Sequence, residues 1–185
     1  GDSIVLTLDA DMQKIAQDAL KEKCDSIESP VPHGGAVAVV NCKTGELLAC
    51  ATYPSYDITT YSDDYSSLLK DKRSPLWNRA LQSVYAPGST SKPSTALAAL
   101  EEGVIDENTV HDCHYKFRYL DMTFSCIAHH ASSNINVKTA LQDSCNIFFY
   151  KVSRDLGVEK LNTYRELLGL GQPTGIELSE RTGIL

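Results

Sequence analysis

Apolar residues fall along this chain in short blocks whose period changes several times. Ile4-Val5-Leu6-Thr7-Leu8 is rich in β-branched residues and reads as a strand. Asp9 follows as a helix N-cap. Met12, Ile15, Ala16, Ala19 and Leu20 then recur at i, i+3, i+4, i+7 and i+8, which predicts a helix to about Lys23 with that face buried. A polar, proline-containing loop leads to Gly34-Gly35 and to a second strand, Ala36 to Val40. Asn41-Cys42-Lys43-Thr44-Gly45 is a turn and Glu46 to Thr52 a third strand, so the pair is an antiparallel hairpin closed by Tyr53-Pro54-Ser55-Tyr56-Asp57. Residues 58 to about 86 are irregular or weakly helical.

The second half of the chain turns helical. Pro87-Gly88 is a turn, and a helix starts directly after it, with Thr95 to Leu100 as its small apolar body and Gly103 as its stop. Residues 112 to 130 form a hairpin or loop bearing Cys and His. Asn136 caps a helix with Val137, Ala140 and Leu141 inward. Two more helices follow, Asn146 to Leu156, ended by Gly157, and residues 159 to 168. Gly169 to Leu185 is Gly-rich and turn-like. Strand, helix, hairpin and then a run of helices is not an alternating βαβ pattern. It predicts an α+β fold in which helices cluster around an antiparallel sheet, and one domain over 1–185.

The chain has 185 residues, enough to bury a core. Its 24 acidic residues outweigh 17 basic ones, for a net charge of −7. That balance argues against nucleic acid and anionic membrane surfaces as partners, since both select basic patches. No transmembrane span is legible and no signal peptide precedes Asp2, so a cloned domain with its upstream anchor removed is the expectation.

The six cysteines fit no CxxC zinc knuckle. Cys113-His114, and Cys126 with His129-His130, hint at a metal cluster, but their intervals are not standard and no metal is read. A disulfide between Cys113 and Cys126 is the preferred pairing if the protein lies outside the cytoplasm. Cys24, Cys42 and Cys50 read as free thiols in a core.

The sharpest chemical feature is Ser89-Thr90-Ser91-Lys92, just after Tyr85-Ala86-Pro87-Gly88. A serine hydroxyl is a poor nucleophile until a base lies within hydrogen-bond reach. One helical turn brings residues i and i+3 onto one face, which pairs Ser89 with Lys92. Free N–H groups at a helix start favour developing negative charge there. Lys92 becomes a base only if its pKa falls. Pro93 is tolerated in the first turn, where N–H groups lack helical partners. The bland alternative is a Ser-rich cap beside a solvated lysine. The second feature is Ser144-Cys145-Asn146. Val137, Ala140, Leu141 and Ser144 share one helical phase, which places Ser144 inward as a proton relay, with Asn146 free to hold a peptide amide. Here the bland alternative is a helix junction that Ser144 caps.

Taken together, these residues resemble the transpeptidase domain of penicillin-binding proteins. Tyr85 to Pro93 looks like the family's nucleophile motif and Ser144-Cys145-Asn146 like its S-x-N motif. Ile4 to Gln13, Val39 to Asp57 and Pro75 to Ala80 are similar to its flanking segments. The resemblance covers nearly the whole chain and is nearest to monofunctional class B members of Firmicutes type. It implies the penicillin-binding protein/serine β-lactamase-like fold, no cofactor, and a D,D-transpeptidase that attacks the D-alanyl-D-alanine end of peptidoglycan stem peptides. Ser89 would be the acylated nucleophile, Lys92 its base, Ser144 the shuttle to the leaving group and Asn146 the substrate-amide ligand. β-Lactams would acylate Ser89. The implied setting is the extracytoplasmic face of a bacterial membrane, with a glycosyltransferase as a partner in the cell-wall complex.

The family also carries a K-T-G motif after the nucleophile. Lys43-Thr44-Gly45 spells it, but in a hairpin turn before Ser89, where Gly serves geometry. Arg181-Thr182-Gly183 is a near-match in the right order. The expectation is therefore a fragment that stops short of the third motif and is weak or inactive alone. Two alternatives stay open: a serine β-lactamase or β-lactam sensor domain, and a non-catalytic scaffold domain.

Overall fold

The computed structural model describes residues 1–28, 34–128, 130 and 133–185. The proline-containing loop expected before Gly34 and the candidate ligand His129 lie outside those residues. Contacts divide the chain into two units, Gly1–Val84 with Ile176–Arg181, and Tyr85–Gly175 with Thr182–Leu185.

In the first unit, helix α1 (Ala10–Asp25) starts where the Asp9 side chain accepts the Met12 N–H. Strands β1 (Gly35–Val40) and β2 (Leu47–Tyr53) pair antiparallel, from Gly35 opposite Tyr53 to Val40 opposite Leu47. Ala16, Ala49 and Ala51 are the buried contacts, with Leu20, Val37 and Val39 around them. Small residues let the helix lie close on the sheet: a Cβ on Gly35 would stand 2.9 Å from Leu20 Cδ1. The buried face of α1 differs from the predicted one. Met12 and Ile15 are exposed, while Ala16 and Cys24 are buried. The face is rotated because Gln13 turns inward, its amide donating to the Cys50 carbonyl and accepting the Cys50 N–H on β2. A polar side chain that satisfies a strand's backbone is invisible to an apolar pattern.

Ile4 to Leu8 does not form the predicted strand and lies exposed. Thr7 Oγ1 and the Asp9 N–H reach the Leu47 and Leu48 carbonyls, but two isolated bonds make no ladder. The hairpin turn is as read: the Gly45 N–H returns to the Asn41 carbonyl at 2.8 Å, with Gly45 at φ +79°. Cys24 is buried and Cys50 half-buried, but Cys42 rides this turn in solvent rather than in a core. Two short helices, α2 (Tyr61–Leu68) and α3 (Arg79–Gln82), occupy the weakly helical region.

In the second unit, a 3-10 turn (Gly88–Ser91) runs into α4 (Lys92–Glu101), which Gly103 ends at φ +65°. β3 (His111–Asp112) pairs with β6 (Asn134–Ile135), and β4 (Lys116–Tyr119) with β5 (Met122–Ser125), both antiparallel. Helix α5 (Val137–Gln142) opens with a capping box between Asn136 and Thr139. α6 (Asn146–Leu156) and α7 (Val158–Leu167) follow, separated by Gly157. The core gathers Ala96 and Ala99 of α4, Val137 and Ala140 of α5, and Ile147, Phe148, Phe149 and Val152 of α6. The α+β class and antiparallel pairing match the expectation, with the strands of the described residues in three two-stranded sheets. No helix among the described residues is long and apolar enough to cross a membrane.

Candidate active site

The site belongs wholly to the second unit. Ser89 sits on the 3-10 turn, which Gly88 enters at φ +57°. In a 3-10 turn, i and i+3 eclipse one another, so Ser89 and Lys92 share a face more strictly than an α-helix requires. Pro93 falls in the first turn of α4, as expected. Lys92 is buried, against the solvated-lysine alternative. Its ammonium donates to three oxygens: the Ser144 carbonyl at 2.7 Å, Ser144 Oγ at 2.9 Å and Asn146 Oδ1 at 2.7 Å. Three acceptors use all the donors an ammonium has.

Ser144 Oγ in turn donates to Ser89 Oγ at 2.9 Å. The expected direct pairing of Ser89 with Lys92 is therefore replaced, in this arrangement, by a three-atom chain, Ser89 Oγ, Ser144 Oγ, Lys92 Nζ. The route by which Ser144 gets there also differs from the helical-phase argument. α5 stops at Gln142, and Ser144 lies beyond it at φ +56°. A left-handed backbone costs a non-glycine residue about 1–2 kcal/mol, and here it turns the hydroxyl and carbonyl toward Lys92. Nor does Ser144 cap α6; Cys145 does, its Sγ accepting the Phe148 N–H. Asn146 opens α6, and its amide bridges Lys92 on one side and the Ser125 carbonyl, at 3.2 Å, on the other.

Burial holds the Lys92 ammonium below its ordinary pKa of 10.5, an effect partly offset by the nearby Cys126 and Cys145 thiols. Its Nζ also stands 5.7 Å from the Phe149 ring centre. This is the direction a general base needs. A hydroxyl linked through a second hydroxyl to a lysine of lowered pKa, at a helix start, is an arrangement with which acyl transfer is chemically compatible.

Behind this centre the thiols differ from expectation. Cys113 and Cys126 are both free rather than bridged. They converge instead with Cys145 and His130, and one donor atom of each lies within 4.8 Å of all the others. Of these four, the sequence singles out Cys113, Cys126 and His130 but misses Cys145, which no standard interval links to them; His114 is exposed beside Asp112. Burial pushes the Cys126 thiol up, but N–H bonds from Ala128, Asn146 and Ile147 and the His130 ring outweigh it and bring it to about 6. Cys145 is pushed up to about 12, chiefly by burial. The pair thus releases one proton readily and holds the second.

Lys43-Thr44-Gly45 forms the β1–β2 turn in the first unit. Arg181-Thr182-Gly183 is in no strand, and the Arg181 N–H donates to the Leu81 carbonyl. A cavity of about 350 Å³ in the first unit is lined by Gln17, Thr52, Ser55, Tyr56 and Asn78 among others, with no carboxylate or amine.

Known proteins resemble this chain along nearly its whole length. The family model of the penicillin binding protein transpeptidase domain matches residues 35–184. The peptidoglycan D,D-transpeptidase MrdA of Escherichia coli K12 is 35% identical over 187 residues, covering 97% of this chain and 28% of the relative. A crystal structure of Pseudomonas aeruginosa PBP2 superposes with a TM-score of 0.84 at 27% identity, over 98% of this chain and 41% of that one. A structure of a peptidoglycan synthase complex gives 0.83 at 34% identity, over 98% and 34%. The chain thus spans under a third of the length of the curated relative.

Proposed function

Because the chain belongs to the penicillin-binding protein transpeptidase family, we propose that it carries the nucleophilic half of a peptidoglycan D,D-transpeptidase centre. The observation that carries this reading is the hydrogen-bonded chain from Ser89 through Ser144 to a buried Lys92. In the proposed reaction Ser89 Oγ attacks the carbonyl of the penultimate D-alanine. Its proton passes through Ser144 Oγ to neutral Lys92. The relay then protonates the departing D-alanine amine as the C–N bond breaks, leaving an ester on Ser89. An amine of a neighbouring stem peptide attacks that ester and restores the hydroxyl. Asn146 Nδ2, now on the Ser125 carbonyl, is suited to the substrate amide, and the Ser89 N–H to one side of the oxyanion.

The family match runs through both units, which supports reading residues 1–185 as the N-terminal part of one transpeptidase domain. The MrdA relatives support a monofunctional class B assignment; they come from Gram-negative species and lend no support to a Firmicutes-type origin. β-Lactams are the expected mimics of the acyl donor. The solved peptidoglycan synthase complex, which coordinates polymerization and crosslinking, supports a glycosyltransferase partner. Such substrates support a reaction at the extracytoplasmic face of the membrane.

Intact-protein mass spectrometry after incubation with a penicillin tests this. The expected result is a stable single adduct that is absent from Ser89→Ala. An adduct that survives in Ser89→Ala would remove Ser89 from its role, and rapid loss of the adduct with steady penicillin hydrolysis would point to a β-lactamase instead.

A further inference from the structure

We propose that the outward face of the β4–β5 hairpin, carrying Lys116 and Arg118, is a subsite for the side carboxylates of an acidic acyl-donor peptide. The inference rests on the transpeptidase reading above and gives a place to the part of the donor that precedes its reacting end. In an antiparallel pair, residues opposite one another share a face, and every second residue returns to it. Lys116 is opposite Ser125 and Arg118 opposite Thr123, so these four form one face, and all four are exposed. Phe117 and Phe124, also opposite one another, occupy the other face. They are half-buried, with ring centres 6.2 and 5.1 Å from that of Tyr150 on α6. The aromatic face thus fixes the hairpin to the helix that Asn146 opens, and it leaves two cations and two hydroxyls outward.

This strip is continuous with the candidate site. At its Ser125 end the backbone carbonyl accepts from Asn146 Nδ2 at 3.2 Å, and Lys116 is the residue directly across the ladder. A donor whose amide lies at Asn146 can continue along β4, meeting Lys116 first and Arg118 two residues, about 7 Å, further on. Both cations are unpaired. Lys151, Arg154 and Lys160 of the same unit hold Asp112, Asp155 and Glu102, whereas Lys116 and Arg118 are in no ion pair among the described residues. The hairpin's own carboxylate, Asp121, lies in its turn. Two like charges on one face of a ladder with no anion between them repel, and a bound carboxylate relieves this. A guanidinium takes a carboxylate bidentately and an ammonium takes it as a point charge. A glutamyl residue joined through its γ-carboxyl leaves its α-carboxylate free to bind there. Basic clusters that recognise anionic membranes carry about four to eight cations, so two cations beside an acyl-transfer site fit a peptide carboxylate instead.

The test is a titration, followed by NMR of the peptide, of Ser89→Ala protein, on which no ester forms. The probes are the pentapeptide L-Ala-γ-D-Glu-Nε-acetyl-L-Lys-D-Ala-D-Ala and its D-Glu α-amide. The free carboxylate is expected to bind about 10-fold more tightly than the amide at low ionic strength, the scale of one charge-assisted contact. Most of that margin should vanish in about 1 M salt, where charges are screened beyond about 3 Å. Adding Lys116→Gln and Arg118→Gln together should bring the two peptides to equal affinity. Lys160→Gln, on a cation already paired with Glu102, should keep the margin. Equal affinity of both peptides for the starting protein, no binding of either, or a margin that survives the double substitution would overturn the proposal. Phosphatidylglycerol vesicles held through Lys116 and Arg118, with no preference between the peptides, would assign the strip to a membrane surface and overturn it too. A penicillin adduct on Ser89 forms or fails independently of these affinities, so failure here and failure of the transpeptidase reading are distinguishable.

Discussion

Ser144 Oγ donates a hydrogen bond to Ser89 Oγ at 2.9 Å although the two residues are 55 positions apart. Ser144 holds that position from a left-handed backbone at φ +56°. Two properties of one residue, its hydroxyl and its strain, can therefore be separated. Ser144→Ala and Ser144→Gly are both expected to slow penicillin acylation by about 10²–10⁴, the usual scale of lost proton transfer. Ser144→Gly should nevertheless be the more stable by about 1 kcal/mol, because glycine adopts this conformation freely. Stopped-flow acylation and chemical denaturation of the two variants check this; equal stability would mean that the corner relaxes around alanine.

Lys92 makes acylation pH-dependent. Burial lowers its pKa, so the neutral, base-competent form appears below the ordinary value of 10.5. The acylation rate should rise with pH and level off short of that value. As pH falls through the folded-state value, Lys92 protonates and the rate falls. Between the two values the unfolded chain binds more protons than the folded one, so this lysine's contribution to stability increases with pH across that interval. Lys92→Met, similar in length and uncharged, should abolish this rise and reduce the rate by about 10²–10⁴. A pH–rate profile unchanged in Lys92→Met would assign the titration elsewhere.

Asn146→Asp is expected to shift the same profile upward. A carboxylate where Oδ1 now accepts from Lys92 favours the charged ammonium, raising the lysine pKa. It also loses the donor to the Ser125 carbonyl. Acylation at neutral pH should fall, with partial recovery in alkaline buffer that Asn146→Ala does not show.

Stability should depend far more on Phe148 than on Gln13. Phe148 is fully buried in the core of the second unit, and Phe148→Ala is expected to cost about 3–5 kcal/mol. Gln13→Ala removes two hydrogen bonds that pin α1 to the Cys50 backbone in a half-buried setting, and about 1–2 kcal/mol is expected. Urea titrations of both variants test the order.

What the sequence determined alone is what a few neighbouring residues decide. Asp9 and Asn136 cap their helices because their own side chains reach N–H groups three residues ahead. Gly45, Gly103 and Gly157 mark stops and turns because each needs a positive φ. The Ser89 to Lys92 spacing also lies within one turn, so that pair was legible. Tertiary structure decided the rest. Ser144 reaches Ser89 because α5 ends early and the chain bends left-handed, a choice made by packing rather than by periodicity. Gln13 turns inward only because β2 offers it a bare backbone. Cys113, Cys126, His130 and Cys145 meet because four segments converge on α6, and no interval along the chain encodes a convergence of that kind. Local signals act over a few residues, whereas a site built from distant ones exists only once burial of the apolar core has brought those segments together.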